Sequence, residues 1–198
     1  MTDVYVPDSM AEVPRSLPRG PHGLGRDVVA ASQRGRLIDA IAHVVAAKGY
    51  GPTTVADVIE HAGVSRKTFY EHFRDKETCF LAAYDTGVEV LLATMRAAEG
   101  VRGRVRAYLG LLAAEPAFAR TFLIEVAAAG PQALRRRREV HDAFAAFIGG
   151  DFALAAVGAT QELVTRWVED GRTAELPQLE DALVTVNEAL LQSSNSSA

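Results

Sequence analysis

Thr53-Thr54-Val55-Ala56-Asp57-Val58-Ile59-Glu60-His61-Ala62-Gly63-Val64-Ser65-Arg66-Lys67-Thr68-Phe69-Tyr70-Glu71-His72-Phe73 reads as two short helices and the turn between them. Thr54 with Asp57 three residues on is a helix start, because each side chain satisfies an amide that the first turn leaves without a partner. Val55, Val58, Ile59 and Ala62 recur at helical spacing and make one inward stripe from Thr54 to His61. Gly63 then ends the helix, since a left-handed residue is needed there and glycine carries no Cβ to oppose it. Val64 plugs the turn, Ser65 caps the next helix, and Phe69 and Phe73 point inward at a spacing of four. This order of features predicts a helix-turn-helix, whose second helix enters the major groove of DNA.

The outer face of that second helix carries suitable chemistry. Arg66, Lys67 and Thr68 occupy its first turn, where side chains reach base edges. An arginine can form two parallel hydrogen bonds with guanine, and a threonine offers a hydroxyl or a methyl group. Tyr70 and His72 follow, where their polar tips can donate to phosphate. Lys76 opens the next helix, which Asp75 caps, and adds a positive charge beside a helix N-terminus. The chain has three lysines against eighteen arginines, and two of the three are here.

Working outward, the chain has 198 residues, 48% of them hydrophobic, enough for a sizeable core. The formal charge of -4 hides an asymmetry: Val13 to Lys76 holds ten basic against six acidic residues, and Glu77 to Ala198 eleven against sixteen. A basic front and an acidic back suit a molecule that meets phosphate with one end. One cysteine, Cys79, excludes an intrachain disulfide and a cysteine-rich zinc site. The five histidines, His22, His43, His61, His72 and His141, lack a ligand spacing, so no metal and no cofactor are expected. No apolar run is read as long enough to span a bilayer, and the N-terminus lacks a signal-like apolar stretch, so the expected location is the cytoplasm without membrane.

Residues 1–25 contain four prolines and read as a mobile arm, whose Arg15 and Arg19, with Arg26 beyond, could reach the minor groove or phosphate. After the arm the pattern is helical almost throughout. Leu37, Ile41, Val44 and Val45 mark one helix, stopped by Gly49 and Gly51, and a long helix runs from Asp75 to about Ala98. Later breaks fall at Gly100, Glu115-Pro116, Gly130-Pro131, Gly149-Gly150, Gly171 and Pro177, giving an all-α chain of about nine helices. A polar tail begins at Ser193.

Gly63-Val64-Ser65, Thr68, Phe69-Tyr70, His72-Phe73 and Lys76, with their spacing, resemble the TetR family of transcriptional regulators. The resemblance extends from about Ser32 to Tyr84 and is looser beyond. It implies an N-terminal three-helix DNA-binding domain over 26–80, and a helical effector-binding and dimerisation domain over 81–198. It also implies that Thr54, Arg66, Lys67, Thr68, Tyr70, His72 and Lys76 contact DNA. Glu71 departs from this basic face, and Arg74 is one available partner for it. The partners so implied are a double-stranded operator, a second copy of the chain and a small-molecule effector, with repression as the usual mode.

For the effector, Tyr108, Phe118, Phe122, Phe144 and Trp167 read as pocket lining or as ordinary core. Glu125 interrupts an apolar run; turned inward it needs an arginine or a cationic ligand, turned outward nothing. Arg135 to Arg138 surround one helical turn, so at least one approaches the inner face, with His141 near it. They form either a solvated ridge or a site for phosphate or carboxylate. For the dimer, Ala155, Ala159, Leu163 and Trp167 give one stripe, and Leu179, Leu183, Val186 and Leu190 another.

An enzyme would need a phosphate loop, a nucleophile elbow or paired metal ligands, and the sequence offers none of these motifs. A second class is an all-helical dimeric protein-interaction module that binds no DNA. It leaves the basic cluster at the front of the second helix unexplained.

Overall fold

The helices of the first half start and stop at residues whose chemistry explains the boundary. The computed structural model describes the backbone of residues 26–193 and the side chains of residues 29–191. The arm with Arg15 and Arg19, the side chain of Arg26 and the tail beyond Ser193 lie outside the described residues. Among the described residues there are nine α-helices and no strand: α1 (Arg26–Lys48), α2 (Val55–Ala62), α3 (Arg66–His72), α4 (Lys76–Arg96), α5 (Gly100–Ala114), α6 (Pro116–Leu123), α7 (Pro131–Ile148), α8 (Ala153–Glu169) and α9 (Glu180–Ser193). Short 3-10 turns over Glu125–Ala127 and Thr173–Leu179 follow α6 and α8.

The expected caps form. The Thr54 amide donates to Asp57 Oδ2 at 2.7 Å, and the Asp57 amide donates back to Thr54 Oγ1 at 3.3 Å. Gly63 ends α2 at φ +62°, in the left-handed region. Ser65 Oγ accepts from the Thr68 amide at 3.0 Å, and Asp75 Oδ1 accepts from the Thr78 amide at 2.8 Å. Arg36 Nη1 donates to the Ala62 carbonyl at 3.2 Å, which ties the end of α2 to α1.

Behind these caps, Leu37, Ile41 and Val45 of α1 pack with Val58, Phe69 and Phe80, all fully buried. The core then continues along α4 through Tyr84, Val88 and Leu91 into the second half. The domain boundary expected between residues 80 and 81 therefore falls inside α4, a single helix common to both halves. By length and composition α4 is long and apolar enough to cross a membrane, which the sequence reading did not anticipate; its apolar face is buried in this core instead. Cys79 lies in the same core, and burial pushes its thiol pKa up to about 12.

Gly87 sits mid-helix in α4, where glycine costs stability relative to alanine. The Phe118 ring of α6 lies directly on it, and a Cβ there would overlap the ring carbons. This close approach brings α6 against α4, with Phe118 and Tyr84 each 5.4 Å from the Phe122 ring.

The two stripes expected at a dimer seam separate. Ala155 and Leu163 of α8 are exposed, and Ala159, Trp167, Val186 and Leu190 are half-buried. Leu179 and Leu183 are instead buried within their own chain, in the common core, so they are not surface for a partner. An apolar stripe on one helix has the same spacing whichever body it packs against.

Candidate DNA interface and effector cavity

On α3, one face is anchored and the other is open. Phe69 is fully buried and Phe73 nearly so, with ring centroids 5.9 Å apart. Arg66, Lys67 and Tyr70 are exposed, while Thr68 and His72 are half-buried. The Arg66 guanidinium lies 5.8 Å from the Tyr70 ring centroid, a cation–π contact that holds both on the same face. Glu71 faces Lys67 at 3.7 Å, not Arg74, whose Nε donates to Asp75 at 2.8 Å. The acidic residue thus offsets part of the charge of Lys67.

Two other expected contacts are already engaged inside the chain. Thr54 Oγ1 donates to Asp57 Oδ2 at 2.6 Å. Hydrogen bonding from Lys48 first, and then from Thr54, holds the Asp57 carboxyl well below the usual carboxylate range. Lys76 turns back under the α1–α2 loop: its Nζ donates to the Tyr50 carbonyl at 2.7 Å and the Thr53 carbonyl at 2.8 Å. It also lies 4.1 Å from the Tyr50 ring centroid. Its ammonium is a staple of the loop, which places it apart from the open face of α3. Burial first, then Lys48, lowers its pKa.

The same loop is gripped from the second half. Glu125, 6% exposed, accepts the Tyr50 amide at 2.9 Å and pairs with Arg120 at 3.1 Å. Its inward position is therefore satisfied by an amide and an arginine of its own chain. Thr121 Oγ1 donates to the Ala42 carbonyl at 3.3 Å, a second link between α6 and α1.

A cavity of about 70 Å³ lies among α4 to α9. Tyr108, Phe122 and Phe144 line it, as the sequence suggested. Phe118 is on Gly87, Glu125 is at the loop and Trp167 lies under the Arg172 guanidinium at 3.7 Å, so these three do not border it. His141 is one step behind the wall, paired with the Gln161 side chain; burial first, and then Arg137, lowers its pKa. Of the four arginines, Arg136 is held by Asp85 at 2.6 Å and Glu139 at 3.0 Å, and Arg137 buries its Nε. The cavity's polar lining, Arg104, Thr160, Gln161 and Asn187, was not anticipated.

Residues 37–83 match the sequence model for bacterial regulatory proteins of the tetR family. Over this stretch the chain is similar to the TetR family. A stretch of 81 residues is 30% identical to the HTH-type transcriptional activator FasR of Mycolicibacterium smegmatis, covering 41% of this chain and 37% of that protein. The match thus spans little more than a third of the curated relative's length. The whole fold resembles the fatty acid degradation regulator FadR of Bacillus halodurans, with TM-score 0.65 and 21% identity over 80% of this chain and 94% of that one. It also resembles FadR of Bacillus subtilis in complex with stearoyl-CoA, with TM-score 0.63 and 18% identity over 77% and 96% of the two chains.

Within this fold, one signal could have located the missed cavity residues. Val157, Gln161, Val164 and Val168 follow one helical stripe of α8, and Val101, Arg104, Val105 and Tyr108 follow one of α5. A polar residue in step with an apolar stripe is turned inward, whatever its type suggests.

Proposed function

We propose that the protein is a homodimeric transcriptional regulator that reads a near-palindromic operator with α3 and is switched by a small molecule in the cavity. The observation that carries this reading is the exposed Arg66 and Lys67 at the start of a helix whose opposite face, Phe69 and Phe73, is fixed in the core. Arg66, Lys67 and Thr68 then read bases, Tyr70 and His72 hold phosphate, and Thr54 and Lys76 support the motif from within. Residues 26–80 serve DNA and residues 81–198 serve effector and partner, with α4 running between them.

Pairing of two copies is supported by large apolar side chains left in solvent around α8: Phe152 at 46%, Leu154 at 54% and Leu163 at 36% exposure. Two-fold symmetry would set half-sites about one turn of DNA apart, roughly 34–36 Å. A small-molecule effector is supported by the cavity and by the stearoyl-CoA held in a protein of the same fold. Release from DNA on effector binding, and so repression, follows if the effector favours the non-binding conformation; FasR is described as an activator, so the same linkage can carry either sign.

The test is selection of binding sites from random duplexes, followed by a salt titration on the enriched site. Specific binding should weaken steeply with salt. Arg66→Ala should relax the preference at one base pair by roughly 1–3 kcal/mol. Enrichment of no sequence would leave the interaction-module reading in its place.

A further inference from the structure

The cavity and the polar atoms around it have a one-sided chemistry. Gln161 is 6% exposed and lines the cavity, and its Nε2 has no hydrogen-bond partner among the described residues. Arg104 lines it too, and its buried Nε is likewise without a hydrogen-bond partner. The Arg104 guanidinium lies 4.8 Å from the Phe147 ring centroid, a contact that orients it without neutralising it. Asn187 is already satisfied, donating to Thr160 Oγ1 at 3.0 Å and the Leu183 carbonyl at 2.8 Å. No Asp or Glu borders the cavity among the described residues. The two unmet groups are therefore donors, one on a cation, and the rest of the lining is largely apolar. A buried donor left without an acceptor destabilises a fold. Here two of them converge on one space.

We infer that this cavity binds an amphiphile, a hydrocarbon chain ending in an oxygen acceptor: a carboxylate or the carbonyl of a thioester. The inference rests on the proposal that the cavity is the effector site, and names the effector's class. Gln161 Nε2 and Arg104 hold the head, and Tyr108, Phe122 and Phe144 surround the chain. A cation is opposed by Arg104, and a plain hydrocarbon leaves both donors unmet. At about 70 Å³ the space is far smaller than the roughly 300–1,000 Å³ of a formed ligand pocket. The chain therefore enters by displacing lining side chains, Met95 first, whose unbranched thioether adapts to a new shape. Binding and movement of the surrounding helices are then one event.

The experiment titrates the full chain by calorimetry with decanoate, decanoyl-CoA and decylamine, and reads DNA affinity separately by fluorescence anisotropy. Decanoate or decanoyl-CoA should bind about tenfold or more tightly than decylamine. Preference for the acid identifies a free carboxylate as the source, and preference for the thioester identifies a carrier-bound acyl group. Gln161→Glu, checked for native circular dichroism, should reverse the order, because the new carboxylate repels the acid and accepts from the amine. Arg104→Met should weaken the acid alone. Equal binding of decylamine, or unchanged decanoate affinity in a folded Gln161→Glu protein, would overturn the inference. Binding of none of the three by a protein that still binds DNA overturns the ligand class and leaves the DNA reading intact. Binding of decanoate with no change in DNA affinity keeps the ligand class and removes the effector role.

Discussion

The turn between α2 and α3 and the cavity among α4 to α9 treat buried and half-buried polar groups in opposite ways. In the first, Thr54, Asp57, Ser65 and Arg36 satisfy helix ends by short local bonds, and the carbonyls of Tyr50 and Thr53 are met by Lys76. Around the second, Tyr84 Oη, Arg104 Nε, Arg137 Nε, His141 Nε2 and Gln161 Nε2 are buried without partners among the described residues, against Arg36 Nε in the first. A satisfied region has one arrangement and keeps it. A region with unmet donors has free energy to gain from another arrangement or from an occupant. The fold thus joins a stiff reading head to a responsive body.

Three substitutions and one pH profile would break or sharpen that contrast. Phe69→Ala removes the fully buried anchor of α3 and should cost about 3–5 kcal/mol, read as a fall in the urea midpoint together with loss of DNA binding. Gly87→Ala drives a methyl group into the Phe118 ring and should cost about 1–3 kcal/mol, whereas the change at an open helical glycine would be favourable. Tyr84→Phe has the opposite sign. It deletes a buried hydroxyl without a partner and keeps the ring against Phe122, so the protein should gain about 1 kcal/mol in the same denaturation assay. A loss there would show that the hydroxyl has a partner and that the contrast is overstated.

The fourth is a pH effect. Arg106, and then Arg102, hold the half-buried Glu180 carboxyl down from its ordinary 4.5 to about 2. A depressed acid contributes stability above the ordinary value, and loses it as pH falls toward the folded value. Thermal midpoints should therefore decline between about pH 4.5 and 2, and Glu180→Gln should flatten part of that decline. Asp57 shifts in the same direction, so a residual slope should persist in the variant. High salt should shrink the Glu180 component, since the pair is solvent-screened.

The front of the molecule was legible because its determinants are local. Thr54, Gly63, Ser65 and Asp75 act within three or four residues, and sequence distance is spatial distance on a helix. The exposed faces of Arg66, Lys67 and Tyr70 follow from the same periodicity. Lys76 was harder: its position at a helix start suggested phosphate, but its long stem reaches carbonyls more than twenty residues back. Leu179 and Leu183 carried a stripe that fits a partner or the chain's own core equally, and only packing decides between them. Arg104 and Gln161 have residue types that usually face water, and their step with an apolar stripe was the weaker signal. Phe118, Glu125 and Trp167 were read by type, and type does not say which neighbour an inward side chain meets.

Tyr50 is held at both ends, its amide by Glu125 from the body and its carbonyl by Lys76 at the foot of α4. One residue therefore reports on the separation of the two halves. Its amide proton is shielded by a carboxylate that belongs to the other half, not by a helix of its own. Exchange of that proton with deuterium is then a clock for the parting of body and reading head. Any ligand that slows or hastens it has acted across the joint, whether or not its own site is known.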